Sequence, residues 1–209
     1  MAGSHDDLFS ALFLEAGDMP FPMTLYGDLR LGFSEPGDQA YREHGGLKVG
    51  MTKWDGGEGS PFQMLFDIRW LFPDARSATA YHLETLQAKC EGKPENQTAA
   101  RIGGDCRVYS YPSGQALGAA RGIFAGALGE GHQMTRGISQ AIAAMPDDAF
   151  IYLFTRGPVA VKYVAVLISA KTDKSTVQAA AERIVQKIDA AFPGAEGRQA
   201  TWWRKLFSR

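Results

Sequence analysis

The chain has 209 residues, 45% of them hydrophobic and 22% charged, with a formal net charge of −1. That is enough apolar material for one sizeable domain with its own core. The near-neutral balance argues against a general nucleic-acid binder, which needs a basic excess to neutralise phosphates.

No apolar run reaches the roughly 18 residues that suggest a membrane-spanning helix. The longest, residues 159–169, is interrupted by Lys162. The opening MAGSHDD lacks a basic stretch followed by an apolar one, so no signal peptide is read there, and residues 1–5 resemble a cloning remnant. Residues 6–194 are expected to form a single domain and residues 195–209 a tail.

In chain order, LFSALFL at residues 8–14 is apolar enough for a short buried helix or strand, ended by Gly17 and Pro20. LYGDLRLGF alternates, with Leu29, Leu31 and Phe33 opposite Asp28 and Arg30, and predicts a half-buried strand. GLKVGMTKW and FQMLFDIRWLF flank the glycine-rich DGGEGSP and predict an antiparallel hairpin. Alternation places Phe62, Met64, Phe66, Ile68, Trp70 and Phe72 on one face of its second strand, with Asp67 and Arg69 on the other. DARSATAYHLETLQAKC predicts a helix whose buried stripe is Ala80, Leu83, Leu86 and Cys90.

CRVYSY predicts a short strand beginning at Cys106; a strand around Ile123 and Phe124 and a helix over residues 134–146 follow. FIYLF and VAVKYVAVLIS, joined by TRGP, predict a second hairpin. Apolar residues on both faces of its second strand indicate a central position, covered on two sides. STVQAAAERIVQKIDAAF places Val177, Ala181, Ile184, Val185, Ile188 and Phe192 on one helical stripe, with Pro193 and Gly194 to stop it. The sum is an α+β domain: a mainly antiparallel sheet with two or three helices packed on one face.

Cys90 and Cys106 are the two cysteines of the chain, with fifteen residues between them. A disulfide closing that loop would contribute about 3 kcal/mol and is the expected state. Two free buried thiols are the plain alternative. A metal centre is not expected, since zinc usually takes four ligands with a close cysteine pair.

Catalytic motifs do not survive inspection. GISQA around Ser139 approaches the nucleophile elbow, but His132 is the last histidine and that plan requires one after the serine. GALGEG at residues 126–131 does not open a helix in a βαβ unit, and no phosphate-binding loop of the Walker type occurs. DGGEGS lacks the ligand spacing of a calcium loop. No catalytic residue and no cofactor are expected. The tail is different: Trp202, Trp203 and Phe207 alternate with Arg204 and Lys205, a composition suited to an anionic membrane surface or a partner protein.

The segment from Phe150 to Phe192, strand–TRGP–strand followed by an amphipathic helix, resembles the end of PsbP-like cell-envelope domains, an arrangement shared by several bacterial lipoproteins. The resemblance covers about a fifth of the chain and implies a non-enzymatic domain that binds partners or ligands outside the cytoplasm. The leading expectation is therefore a non-catalytic, extracytoplasmic binding domain of a bacterial cell envelope. The alternative is a small cytoplasmic enzyme or ligand-sensing domain whose site, in the concavity of the sheet, draws on Arg69, Asp67 or His82. The apolar hairpin leaves homodimerisation through a sheet face open.

Overall fold

A computed structural model describes residues 9–19, 21–30, 39–88, 90, 93–94, 102, 104–111, 149–168 and 174–192. The strands are β1 (Met23–Asp28), β2 (Lys48–Gly56), β3 (Phe62–Leu71), β4 (Lys93–Pro94), β5 (Gly104–Tyr111), β6 (Ala149–Arg156) and β7 (Val159–Leu167). They form one sheet in the order β1-β2-β3-β7-β6-β5-β4, and every neighbouring pair is antiparallel. The helices are α1 (Gln39–Glu43), α2 (Ala75–Tyr81) and α3 (Lys174–Ala191), with a π-helical turn, His82–Gln87, continuing α2. The architecture is α+β, as the sequence predicts.

Both expected hairpins form. β2 and β3 pair from Lys48↔Leu71 to Asp55↔Met64 across the DGGEGSP loop. β6 and β7 are joined by Gly157 and Pro158, and Gly157 takes the positive φ (54°) that a tight hairpin connection requires. At the far edge, two-residue β4 ends in a proline, which cannot extend the ladder on its own N–H side.

The helices are divided between the two faces of the sheet instead of sharing one. Val177, Ala181, Ile184 and Ile188 of α3 cover Leu65, Val161, Tyr163 and Ala165, together with Phe9, Leu12 and Phe13 from the N-terminal segment. Tyr41 of α1 and Ala78 and Tyr81 of α2 cover the other face, against Phe66, Ile68, Trp70 and Val164. The cause is visible in β7, whose residues are buried on both sides except at half-buried Lys162. A strand that is apolar on both faces needs two covering layers.

Two details depart from simple periodicity. An irregularity between Phe62 and Met64 in the β3–β7 pairing turns Phe62 to the α3 side, away from Met64, Phe66, Ile68, Trp70 and Phe72. The buried residues of α2 and its π-helical turn are Ala78, Tyr81, His82 and Thr85, while Leu83 is 45% exposed. Tyr81 fixes this phase because its ring meets Tyr41, Trp70 and Phe72.

Ion pairs fasten α3 to its surroundings. Arg156 of β6 forks onto Asp189 at 2.5 and 2.7 Å, and Lys187 reaches Asp18 at 2.7 Å. The N-terminal segment also rests in a notch at Gly50, where a β-carbon would lie 2.8 Å from Phe9 Cε1 and 3.0 Å from Phe13 Cζ. Gly50→Ala should therefore lower unfolding free energy by about 1–3 kcal/mol through overpacking. Urea unfolding measures this, and an unchanged midpoint would mean that the segment does not rest on Gly50.

Candidate functional site

Thr52, Asp67, Tyr163 and Tyr152 stand side by side on β2, β3, β7 and β6, in one cross-strand row facing α3. None of the four has any exposed surface. Arg69, two residues along β3 and equally buried, forks onto Asp67 at 2.8 and 2.6 Å. Its remaining terminal nitrogen donates to the Leu12 carbonyl, and the Phe13 ring lies over the guanidinium at 4.9 Å.

Trp54 Nε1 donates to Thr52 Oγ1 at 3.2 Å. Among the described residues, the Tyr163 hydroxyl has no hydrogen-bond partner. Burial pushes its ionisation well above the usual phenol value, and Tyr152 and Asp67 add to that effect. The row is therefore polar, sealed from solvent and incompletely bonded.

His82 lies elsewhere, on the side that carries α2, so the three residues of the concavity reading do not converge. It is fully buried, and its Nε2 lies 3.0 Å from the Asp105 carbonyl and 2.7 Å from the Gln87 amide nitrogen. Gln87 also donates to the Asp105 carbonyl at 3.1 Å. Asp105 has a positive φ of 50°, within an irregularity of the β5–β6 pairing. Whether Nε2 donates to the carbonyl or accepts from the amide, Nδ1 is left buried without a partner among the described residues. The arrangement suits a neutral imidazole, and burial lowers its proton affinity, opposed in part by the Asp105 carbonyl.

The expected Cys90–Cys106 disulfide is not formed. Cys90 packs with the residues under α2 and Cys106 with those under α3, on opposite faces of the sheet. Periodicity along the chain located each cysteine on an element but could not show that the elements present them to different sides. Burial pushes the Cys106 thiol up to about 12, against a smaller opposing effect of Arg107, so it is a poor nucleophile.

His44 meets Glu84 at 3.2 Å, not its neighbour Glu43. Among the described residues, no group of three or more His, Cys, Asp or Glu side chains could hold a metal ion. No described helix is long and apolar enough to cross a membrane. Trp202, Trp203, Arg204, Lys205 and Phe207 lie outside the described residues, as do Ile123, Phe124, Ser139 and the helix expected over residues 134–146.

One feature had no sequence signal: the corner between β1 and β2. The pairing shifts between Leu25 and Gly27, leaving Tyr26 as the extra residue. Lys53 is buried, its Nζ 2.5 Å from Asp55 Oδ1 and 3.9 Å from the centre of the Tyr26 ring. Burial lowers its proton affinity, and Asp55 opposes that shift. Leu25 and Tyr26 themselves are 36% and 44% exposed. The arrangement can hold a cation against an aromatic face at the open margin of the sheet.

Two predictions follow from the buried groups. Asp67→Ala, which strands the Arg69 charge, should cost about 3–5 kcal/mol in denaturant unfolding, and the double change Asp67→Leu/Arg69→Met distinctly less; equal losses would mean that the pair's charges are not what matters.

For His82 the folded proton affinity is lowered, so the group leaves stability unaffected above its ordinary value of 6.5. As pH falls below that, the unfolded chain binds a proton that the folded one refuses, and stability is lost until the folded imidazole also titrates. Urea midpoints measured from pH 7.5 to 5 should fall more steeply for the wild type than for His82→Gln. Parallel curves would remove His82 as the cause.

No family model matches the chain, and no curated protein or solved structure matches it.

Proposed function

We propose that the chain is a non-catalytic binding domain that takes an extended segment of a partner protein along the outer edge of β1. The observation that carries this reading is the open margin of the sheet at β1. Among the described residues β1 pairs with β2 alone, and it exposes Leu25 and Tyr26 beside the Lys53–Asp55 pair. An added strand would gain backbone hydrogen bonds from the edge and side-chain contacts from the two exposed residues. The residues suited to chemistry support the same reading. Asp67, Arg69 and His82 are sealed from solvent, and the Cys106 thiol stays protonated at neutral pH.

Placement outside the cytoplasm, in a bacterial cell envelope, belongs to this proposal. Its support is the order strand–TRGP–strand–helix, read as resembling the end of PsbP-like domains. The unformed Cys90–Cys106 disulfide lends it none. Trp202, Trp203, Arg204, Lys205 and Phe207 provide the second proposed contact, with a partner protein or an anionic membrane surface, on composition alone.

Leu25→Lys tests the edge, because a lysine on an edge strand discourages strand addition. Tagged wild type and variant are compared for proteins retained from fractionated source cells, with melting curves as the control. The expected result is one protein retained by the wild type and lost by the variant, at unchanged melting temperature. The same protein retained by both would overturn the edge as the docking site. Large stabilisation by one compound in a metabolite screen would instead favour an enzyme or ligand sensor.

A further inference from the structure

The Tyr163 hydroxyl is the group that the fold leaves unexplained. It is fully buried and has no hydrogen-bond partner among the described residues, a condition that native structures rarely keep without a reason. α3 supplies no partner, since its buried residues, Val177, Ala180, Ala181, Ile184, Val185 and Ile188, are all apolar. Among the described residues, the sheet offers a candidate acceptor.

Asp67 is directly opposite Tyr163 in the β3–β7 ladder, and both side chains face α3. Each Asp67 oxygen takes one hydrogen bond from Arg69 and keeps capacity for another. The tyrosine side chain is much longer than the aspartate, and its hydroxyl makes no direct hydrogen bond to the carboxylate. A small group that both accepts and donates hydrogen bonds closes that difference. Arg69 already balances the carboxylate charge, so the occupant has no need to be an ion.

We infer that this row contains an internal site for one water molecule, which accepts from the Tyr163 hydroxyl and donates to the Asp67 carboxylate. Such waters are integral parts of folded chains where buried polar groups would otherwise lack partners. The site is independent of the β1 edge, on which the functional proposal rests.

A high-resolution crystal structure of the wild type, with melting curves of wild type and Tyr163→Phe, tests the inference. The expected result is density for a single water within about 2.6–3.2 Å of both oxygens. It should be accompanied by a melting temperature about 2–6 °C lower in the variant, because the phenylalanine leaves that water one partner short. Absence of the density, density too large for a water, or a melting temperature unchanged or raised by Tyr163→Phe would each overturn it.

Discussion

The rest of the structure depends on the buried pair of Asp67 and Arg69 in the central strand β3. Neither side chain has solvent-exposed surface, so the desolvation of two charges must be offset inside the protein. The fork between them does part of this. The third contact, from Arg69 to the Leu12 carbonyl, does something else: it fixes one point of the N-terminal segment against the sheet. Phe13 then lies on the guanidinium, and Gly50, directly across from Arg69 on β2, leaves room for Phe9 and Phe13. An apolar pair at these positions would cost less to bury, but it would offer the segment no directional contact. The pair therefore serves placement more than stability.

That placement has consequences for the covering layer. The same N-terminal region supplies Asp18, which Lys187 of α3 meets, and Asp189 of α3 is held by Arg156 of β6. Strap, helix and sheet are thus tied at separate points around one apolar cluster. On the opposite face, α1 and α2 are held mainly by aromatic contacts centred on Tyr81. With both faces occupied, β1 remains the open margin of the sheet among the described residues.

Much of this fold was legible because strand alternation and helix stripes are local. The hairpins β2–β3 and β6–β7 and the stripe of α3 follow directly from spacing. The two-sided apolarity of β7 already implied two covering layers, and setting the helices on one face went against it. The irregularity that turns Phe62 could not be read, since it depends on pairing with Leu167 across the sheet. The stripe of α2 was read in part: Leu86 and Cys90 do pack against the core, but Tyr81 and His82, polar at their tips, are buried while Leu83 is exposed.

The candidate site was legible in part: alternation put Asp67 and Arg69 on one face. What it could not provide was the Leu12 carbonyl, 57 positions away, that gives the arginine its third contact. His82 was also named, but its partner Asp105 lies 23 positions on, in a left-handed conformation that no local pattern announces.

The proposed binding role, in place of catalysis, follows from how these groups are used. A catalytic side chain must reach a substrate and change its bonding or charge during the reaction. Asp67 and Arg69 are committed to each other and to the strap, and the imidazole of His82 is fully buried with one nitrogen occupied at the Asp105 carbonyl. Each is a structural use that a substrate would have to undo. At the β1–β2 corner the requirements reverse. Tyr26 and Leu25 are exposed, Lys53 carries its charge against an aromatic face and a carboxylate, and among the described residues the strand's outer edge is unpaired. The proposed recognition there needs no rearrangement of the core, only the addition of what an edge strand lacks.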